Sequence, residues 1–377
     1  MAELKAEVVS ITKIEEHPNA DRMELAFVGG YQVCVQKDVY TAGELVVYIP
    51  VDSILTEKLE ALIFGPDSKV KLNKHRVRAI KLRGAVSQGM IIPLSLAAQY
   101  PGCSTIASPV LQKEGLDCTS ALDITKYEPP TKAPNAMSGK AAPKRHCHPM
   151  FSKYTSINQL KRYSEAMNGM HVYITEKIHG TNFRCGWVPF VPRTFLQKLK
   201  NILGLSKKWE FVYGSHNVQL MDGKGKDAFS NNVYKRIVDE HGLEKKVPKG
   251  HLWYGEIFGD GIQKNYSYGF TDGKVDVAFM DIKVVETGKY MDFDEMVQWV
   301  ESRDEQVVPY TEGDYDLDQI LDVLNDPDLP SFIDGKTKPI EGFVVRPHKE
   351  QDFYGGRLIL KVLSDEYLLR KDNTDWH

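Results

Sequence analysis

A lysine at the end of a strand, three residues before a glycine, is a combination that can do chemistry. Val172-Tyr-Ile-Thr175 reads as a strand running directly into Glu176-Lys-Ile-His-Gly-Thr-Asn182. A rigid element thus holds the amine of Lys177, while Gly180 lets backbone approach a phosphate. Near its reference pKa of about 10.4 a lysine is protonated at neutral pH and is no nucleophile, so cationic neighbours or a metal must favour the neutral amine. The spacing alone is weak. It recurs at Lys81-Leu-Arg-Gly84, which lies in a basic run, lacks the following Thr-Asn and reads as a decoy.

Three further segments follow Lys177 in order: Trp253-Tyr-Gly-Glu-Ile-Phe-Gly259, Ile340-Glu-Gly-Phe-Val-Val-Arg-Pro347 and Arg357-Leu-Ile-Leu-Lys361. The set resembles motifs I, III, IV and V of the covalent nucleotidyltransferases, the ATP-dependent ligases and mRNA capping enzymes. Within that superfamily the chain resembles the RNA ligases, because residues 176–182 carry a histidine where DNA ligases and capping enzymes usually have K-x-D-G, and because Gly255-Glu-Ile-Phe-Gly-Asp-Gly-Ile-Gln-Lys264 is similar to the extended motif III of ligases that seal duplex nicks. The resemblance implies that Lys177, Glu341 and Lys361 are catalytic. It implies that Glu176, Gly180, Asn182, His216, Glu256, Met280 and Arg357 contact the nucleotide, and that Glu341 and Glu256 serve a Mg²⁺ or Mn²⁺ ion. Attack of Lys177 on the α-phosphate of ATP would build charge on non-bridging oxygens, which Lys361 and the metal neutralise. Glu341 would orient water on the metal, and Glu256 would accept hydrogen bonds from the ribose.

The chain departs from the family pattern at three places. Motif V usually offers two lysines, yet here Lys361-Val-Leu363 has one, and Arg357 is the candidate substitute. Before the aspartate of motif IIIa, Asp281, the usual adenine-stacking aromatic is replaced by Met280. A thioether packs on a purine, whereas Phe279 points to the opposite face of the strand. At Gly214-Ser-His-Asn217 the family more often has arginine in place of His216. Histidine is charged only below its reference pKa of about 6.5 unless a phosphate raises it, so end binding is expected to be weaker or pH-dependent.

The elements that must position these residues divide at Glu128–Arg145, rich in Pro, Ala, Lys and Gly and without hydrophobic periodicity, which reads as a linker. The expected organisation is an OB-fold nucleic-acid-binding domain at 1–127, a linker at 128–149 and an adenylyltransferase domain at 150–377. Before the linker, Glu7–Ile14, Glu24–Val28, Tyr31–Val35 and Glu44–Ile49 are strand-like, with Gly29-Gly30 as a hairpin signal. Short strands of this kind within roughly 100 residues suggest a small OB-type barrel. His17-Pro-Asn-Ala-Asp-Arg-Met-Glu24 resembles the signature of tRNA-binding OB modules, and equally reads as a turn closed by Asx hydrogen bonds. Lys74, Arg76, Arg78, Lys81 and Arg83, in a basic run that begins at Lys69, are the candidate contacts to a phosphate backbone.

After the linker, helical periodicity at Asn231–Glu240 and Phe293–Val300 mixes with strands at His171–Thr175 and Val275–Met280. No G-x-G-x-x-G or Walker loop follows a strand, which disfavours Rossmann and P-loop enzymes. Within residues 188–210, Phe195, Leu199, Ile202 and Leu203 fall at helical spacing beside Lys198, Lys200, Lys207 and Lys208, a basic amphipathic helix that could clamp RNA, dock a partner or pack as a lid. His146-Cys-His148 lacks a fourth nearby metal ligand.

Composition bounds the rest. With 48 Lys+Arg against 51 Asp+Glu and 42% hydrophobic residues, neither global disorder nor a polycationic tail fits. Five scattered cysteines without C-x-x-C fit a reducing, cytoplasmic location, and the longest apolar runs fall far short of the ~20 residues that span a membrane. The expectation is a mixed α+β protein in which a small N-terminal β-barrel precedes an antiparallel-sheet-rich, ATP-grasp-like ligase domain. It would be monomeric and join RNA 3′-hydroxyl and 5′-phosphate ends, in nicked or broken duplex, through lysyl-AMP. The alternatives are an mRNA guanylyltransferase and an RNA-binding protein on an inactive scaffold.

Overall fold

The computed structural model describes residues 4–66, 68, 71–103, 113–128, 147–192, 194–204, 207–220 and 233–370. Most of the expected linker, together with Lys69 and His146, lies outside them. Two compact units emerge: Met1–Thr131 with Ile157–Ala166 and Val362–His377, and Lys132–Ser156 with Met167–Lys361. The first unit therefore takes in two segments that a single boundary at 128–149 would have given to the second.

In the first unit, five antiparallel strands run in the order Tyr31–Gln36, Met23–Val28, Glu7–Glu16, Leu45–Ile49 and Met90–Pro93. Strand alternation sends Val46 and Tyr48 into one apolar cluster and Val47 and Ile49 into another, so both faces are covered. A register shift between Ile11 and Lys13 bends the long first strand, which pairs with Leu45–Ile49 through its first half and with Met23–Val28 through its second. The edge strand meets the chain ahead of the last one, with Gln88 N–H donating to Gln32 O at 2.8 Å and Cys34 N–H to Ser87 Oγ at 3.1 Å, which curls the sheet back on itself. The Gly29-Gly30 turn forms as expected. Gly29 has φ +54°, and a Cβ there would stand 2.8 Å from Lys161 O, so both turn and neighbour demand glycine. The 157–166 segment is stapled to this barrel by Lys161 Nζ on Gln88 Oε1 at 2.8 Å and by Arg162 on Glu7 at 2.5 Å.

The basic run behaves unevenly. Lys74, Lys81 and Arg83 are exposed, as a phosphate footprint requires. Arg76 is not: it is buried, pairs with Asp52 Oδ1 at 2.6 Å and stacks 3.7 Å from the centre of the Tyr127 ring. Arg78, half-buried, donates to Arg370 O at 3.2 Å. As a candidate backbone contact Arg76 is corrected to a structural tie, because a guanidinium out of water must satisfy its donors locally, whereas Arg78, with one donor on a carbonyl, stays a candidate. His17 likewise closes its own turn, with Nδ1 accepting from Asn19 N–H at 3.1 Å and Nε2 lying 3.0 Å from Leu82 O.

The second unit is built on two antiparallel sheets. One places Leu360–Leu363, Gly342–Pro347, His171–Lys177 and Tyr310–Asp314 side by side, and the other runs Gln219–Leu220, Trp209–Gly214, Thr181–Pro189, His251–Gly259 and Val275–Val284. Alternation in the second sheet sends Phe183, Cys185, Trp253, Ile257, Val277 and Phe279 into the core beneath helices Val233–Glu240 and Phe293–Glu301. Asn182, Arg184, Tyr254, Glu256, Ala278 and Met280 are left on the opposite face. The helix expected in the 188–210 segment forms at Phe195–Ile202, its start fixed by a reciprocal cap between Thr194 and Gln197. Phe195 is 79% exposed and Ile202 82%, which overturns the reading of this helix as a packed lid.

The strand face at motif IIIa generates a direct test. Phe279 has no exposure and packs on Trp253 and Phe183, whereas Met280 is half-buried at the register shift opposite Tyr254 and Gly255. Phe279→Ala is expected to cost about 3–5 kcal/mol in urea unfolding. Met280→Ala should cost far less, and the reverse order would show the strand face to be inverted.

Candidate active site

Lys177 is the last residue of its strand, and Glu341 immediately precedes the neighbouring one, so the pairing of Lys177 with Gly342 brings the two side chains together. Lys177 Nζ donates to Glu341 Oε1, and Glu341 Oε2 lies 3.4 Å from His179 Nδ1. Glu341 is 3% exposed, so its charge is held by these two groups in a water-poor setting. From the facing sheet comes Glu256, paired across strands with Asn182. Burial pushes the Glu256 carboxyl up to about 8; the Glu341 charge adds to this, while Lys177 and the Gly180 N–H oppose it. The expected acceptor-only carboxylate is therefore corrected: without ligand, Glu256 carries a proton at neutral pH and can donate as well as accept.

The 178–180 turn that joins the two sheets is fixed from several sides. A Cβ on Gly180 would stand 2.2 Å from Ile257 O, which no side chain survives. Gly180 O accepts from Gln263 Nε2 at 2.7 Å, and His179 N–H donates to the Tyr268 hydroxyl at 2.8 Å. Tyr266 meets the His179 ring edge-on at 4.6 Å and donates to Pro339 O at 2.7 Å, tying the turn to the approach to Glu341. Sequence reasoning missed Gln263, Tyr266 and Tyr268. Gln263 did stand inside the quoted Gly255–Lys264 stretch, but the tyrosines carried no separate signal.

Other candidates lie where their roles are readily read. Asn182 Oδ1 is buried and has no hydrogen-bond partner among the described residues, the mark of an acceptor left for a ligand. Lys361 is 5% exposed on a strand two places from that of Lys177 in the same sheet. Glu176 points elsewhere: its carboxylate accepts from Ser331 Oγ at 2.7 Å and Phe332 N–H at 2.8 Å, so the side chain anchors a loop and only its backbone remains for a nucleotide. Burial pushes His216 down to about 4, with Lys153 and Arg184 acting in the same direction. It is neutral at physiological pH, and the expected titration near 6.5 is corrected. Positive charge at this turn comes instead from Lys153, whose Nζ donates to Asn217 Oδ1 at 2.7 Å.

Arg357 is the clearest correction. Its guanidinium donates to Asp281 at 2.9 and 3.2 Å and to Glu350 at 2.6 and 2.5 Å, over the face of Tyr290 at 3.7 Å. Four of its five N–H donors are thus engaged, and it cannot also replace the absent motif V lysine. Leu363, where that lysine would stand, is buried. Asp281 also accepts from Arg346 at 3.2 Å and the Tyr154 hydroxyl at 2.6 Å. Burial alone would raise its carboxyl, yet Arg346 and Arg357 hold it below the usual carboxylate range.

The family model for an OB-fold domain matches residues 5–94, and the model for RNA ligase matches residues 170–363. The chain belongs to the RNA ligase family. The matched span holds Lys177, Glu256, Glu341 and Lys361. A search of the curated proteins found no match. Among solved structures, this RNA ligase family member is similar to Naegleria gruberi RNA ligase with PPi, at 20% identity and TM-score 0.69 over 97% of this chain and 98% of that one. It is equally similar to a lysine-to-alanine variant of the same ligase with ATP and Mn, at 20% identity and TM-score 0.69 over 97% and 98%. Those likenesses show the fold, an N-terminal OB domain followed by a sheet-rich ligase domain.

The raised carboxyl of Glu256 fixes the sign of a stability test. A group whose value rises from the ordinary 4.5 to about 8 on folding contributes stability below pH 4.5 that is lost as pH climbs through 8. Glu256→Gln removes that loss. Its melting temperature relative to the native chain is expected to rise between pH 5 and pH 9, and a difference that stays flat or shrinks would contradict the assignment.

Proposed function

We propose that this chain is an ATP-dependent RNA ligase that uses Lys177 as its nucleophile. The observation that carries the reading is the constellation itself. A strand-end amine rests on the buried Glu341, faces Glu256, and has beside it an acceptor, Asn182 Oδ1, without a protein partner. The Lys177 nitrogen forms a bond to the α-phosphorus of ATP as the bond to the bridging oxygen breaks and pyrophosphate leaves. Glu341, which accepts from the ammonium, is the nearest base for its proton. An oxygen of an RNA 5′-phosphate next attacks the same phosphorus and releases the amine of Lys177. A 3′-hydroxyl then attacks the adenylylated end, and AMP leaves.

Glu341 and Glu256 would hold Mg²⁺ or Mn²⁺, which neutralises charge growing on phosphate oxygens. The fit is chemical: two carboxylates share one site, and one of them is forced to keep a proton until a cation replaces it. Asn182 and Glu256 would bind the ribose, Met280 the adenine, and Lys361 the phosphates. In the barrel, the exposed Lys74, Lys81 and Arg83 would follow the RNA backbone. Broken or nicked duplex RNA is the proposed substrate and a monomer the proposed working unit, and the five free thiols fit the reducing cytoplasm.

Lys177→Ala tests the reading. With α-labelled ATP and divalent metal the native protein is expected to become labelled and the variant not to, by at least about 10²-fold. The variant should still seal RNA already adenylylated at its 5′ end, since that step needs no protein nucleophile. Labelling by GTP alone would point to a guanylyltransferase, and labelling by neither nucleotide to an RNA-binding scaffold.

A further inference from the structure

We propose that His171, Glu312 and His348 form a binding site for a divalent transition ion of the zinc class, separate from the nucleotidyl site. His171 begins the strand that ends in Lys177, Glu312 lies on the adjacent Tyr310–Asp314 strand, and His348 directly follows the Gly342–Pro347 strand on the other side. Register puts all three on one face. His171 is opposite Asp314, Tyr173 is opposite Glu312, and Val172 is opposite Pro347, so His348 falls beside His171. One ligand atom from each of the three lies within 4.8 Å of the others.

The detailed geometry is that of ligands rather than of ordinary surface ion pairs. His348 Nε2 lies 3.4 Å from a Glu312 oxygen, yet it is buried and makes no hydrogen bond among the described residues. Two donors on one tetrahedral zinc, each about 2.0–2.1 Å from the ion, stand about 3.3 Å apart, which matches that separation. The imidazole of His348 is oriented by Tyr173, whose ring stacks on it at 4.2 Å with 10° between the planes. His171 Nδ1 is 2.9 Å from Asp314 Oδ1, the carboxylate partner that fixes a metal-binding imidazole in the tautomer with a lone pair on its other nitrogen.

Two imidazoles and one carboxylate favour Zn²⁺ and its neighbours over Mg²⁺, which demands oxygen ligands. The exposure of His171 and Glu312 leaves a fourth position for water. Six residues of extended strand separate His171 from Lys177, about 20 Å, so an ion here takes no part in phosphate chemistry. It would cross-link three neighbouring strands of the sheet that carries the nucleophile.

The test uses full-length protein freed of metal by chelation and then held in saturating Mg²⁺. Zn²⁺ is titrated by calorimetry and Co²⁺ by visible absorption. One Zn²⁺ per chain and the ligand-field bands of four-coordinate Co²⁺ are expected. His348→Ala and, independently, the surface substitution Glu312→Gln should each weaken the binding by about 10-fold or more and abolish the bands. Both variants should self-adenylylate as the native chain does. Failure of the native protein to bind Zn²⁺ in Mg²⁺, or binding that neither substitution weakens, would overturn the proposal.

Discussion

A single buried carboxylate holds the ligase domain in working order. Asp281, from the last strand of one sheet, is shared by Arg346 from the other sheet and by Arg357 from the segment that leads into Lys361. Removing one partner from such a buried set leaves an uncompensated charge and typically costs 3–5 kcal/mol, so the sheets cannot part cheaply. Their facing surfaces present Lys177 and Glu341 on one side and Glu256 and Asn182 on the other. The proposed chemistry would depend on that spacing, and the spacing depends on the clamp.

Within the clamp, the site is an unbalanced electrostatic arrangement. Burial is what holds the Glu256 carboxyl up, with Lys177 pulling it down and the Glu341 charge pushing it further up. Glu256 responds by keeping a proton, and Glu341 by holding the lysine. A divalent cation held by Glu341 and Glu256 would relieve both constraints, taking the place of the proton on one carboxylate and loosening the hold of the other on the lysine. On the proposed reading, metal binding and activation of the nucleophile would be aspects of one charge balance.

Much of this was legible in the sequence. Alternation placed the strands at 7–16, 23–28, 31–36 and 45–49 within a residue or two, and the hairpin glycines, because strand period and turn chemistry are local. Ordered motifs brought Lys177, Glu256 and Glu341 together, since each sits at the end or on the inner face of a strand. The arginines were misread for the opposite reason. Arg76 and Arg357 look like phosphate contacts until their carboxylate partners are known, and Asp52 and Asp281 lie 24 and 76 residues away. The Glu176 side chain was equally illegible, its carboxylate spent on Ser331, 155 residues on, which leaves only the backbone for the expected nucleotide contact. Charge type is written in the sequence, but whether a charge is free for a ligand is decided by tertiary contacts.

The central claim is that the Lys177 amine itself becomes joined to AMP. Its most direct test is peptide mapping by mass spectrometry after incubation of the native protein with ATP and Mg²⁺. The expected result is an adenylyl group on the peptide that contains Lys177, removed when RNA bearing a 5′-phosphate is added. An adduct on Lys81, or no adduct on any lysine, would contradict it.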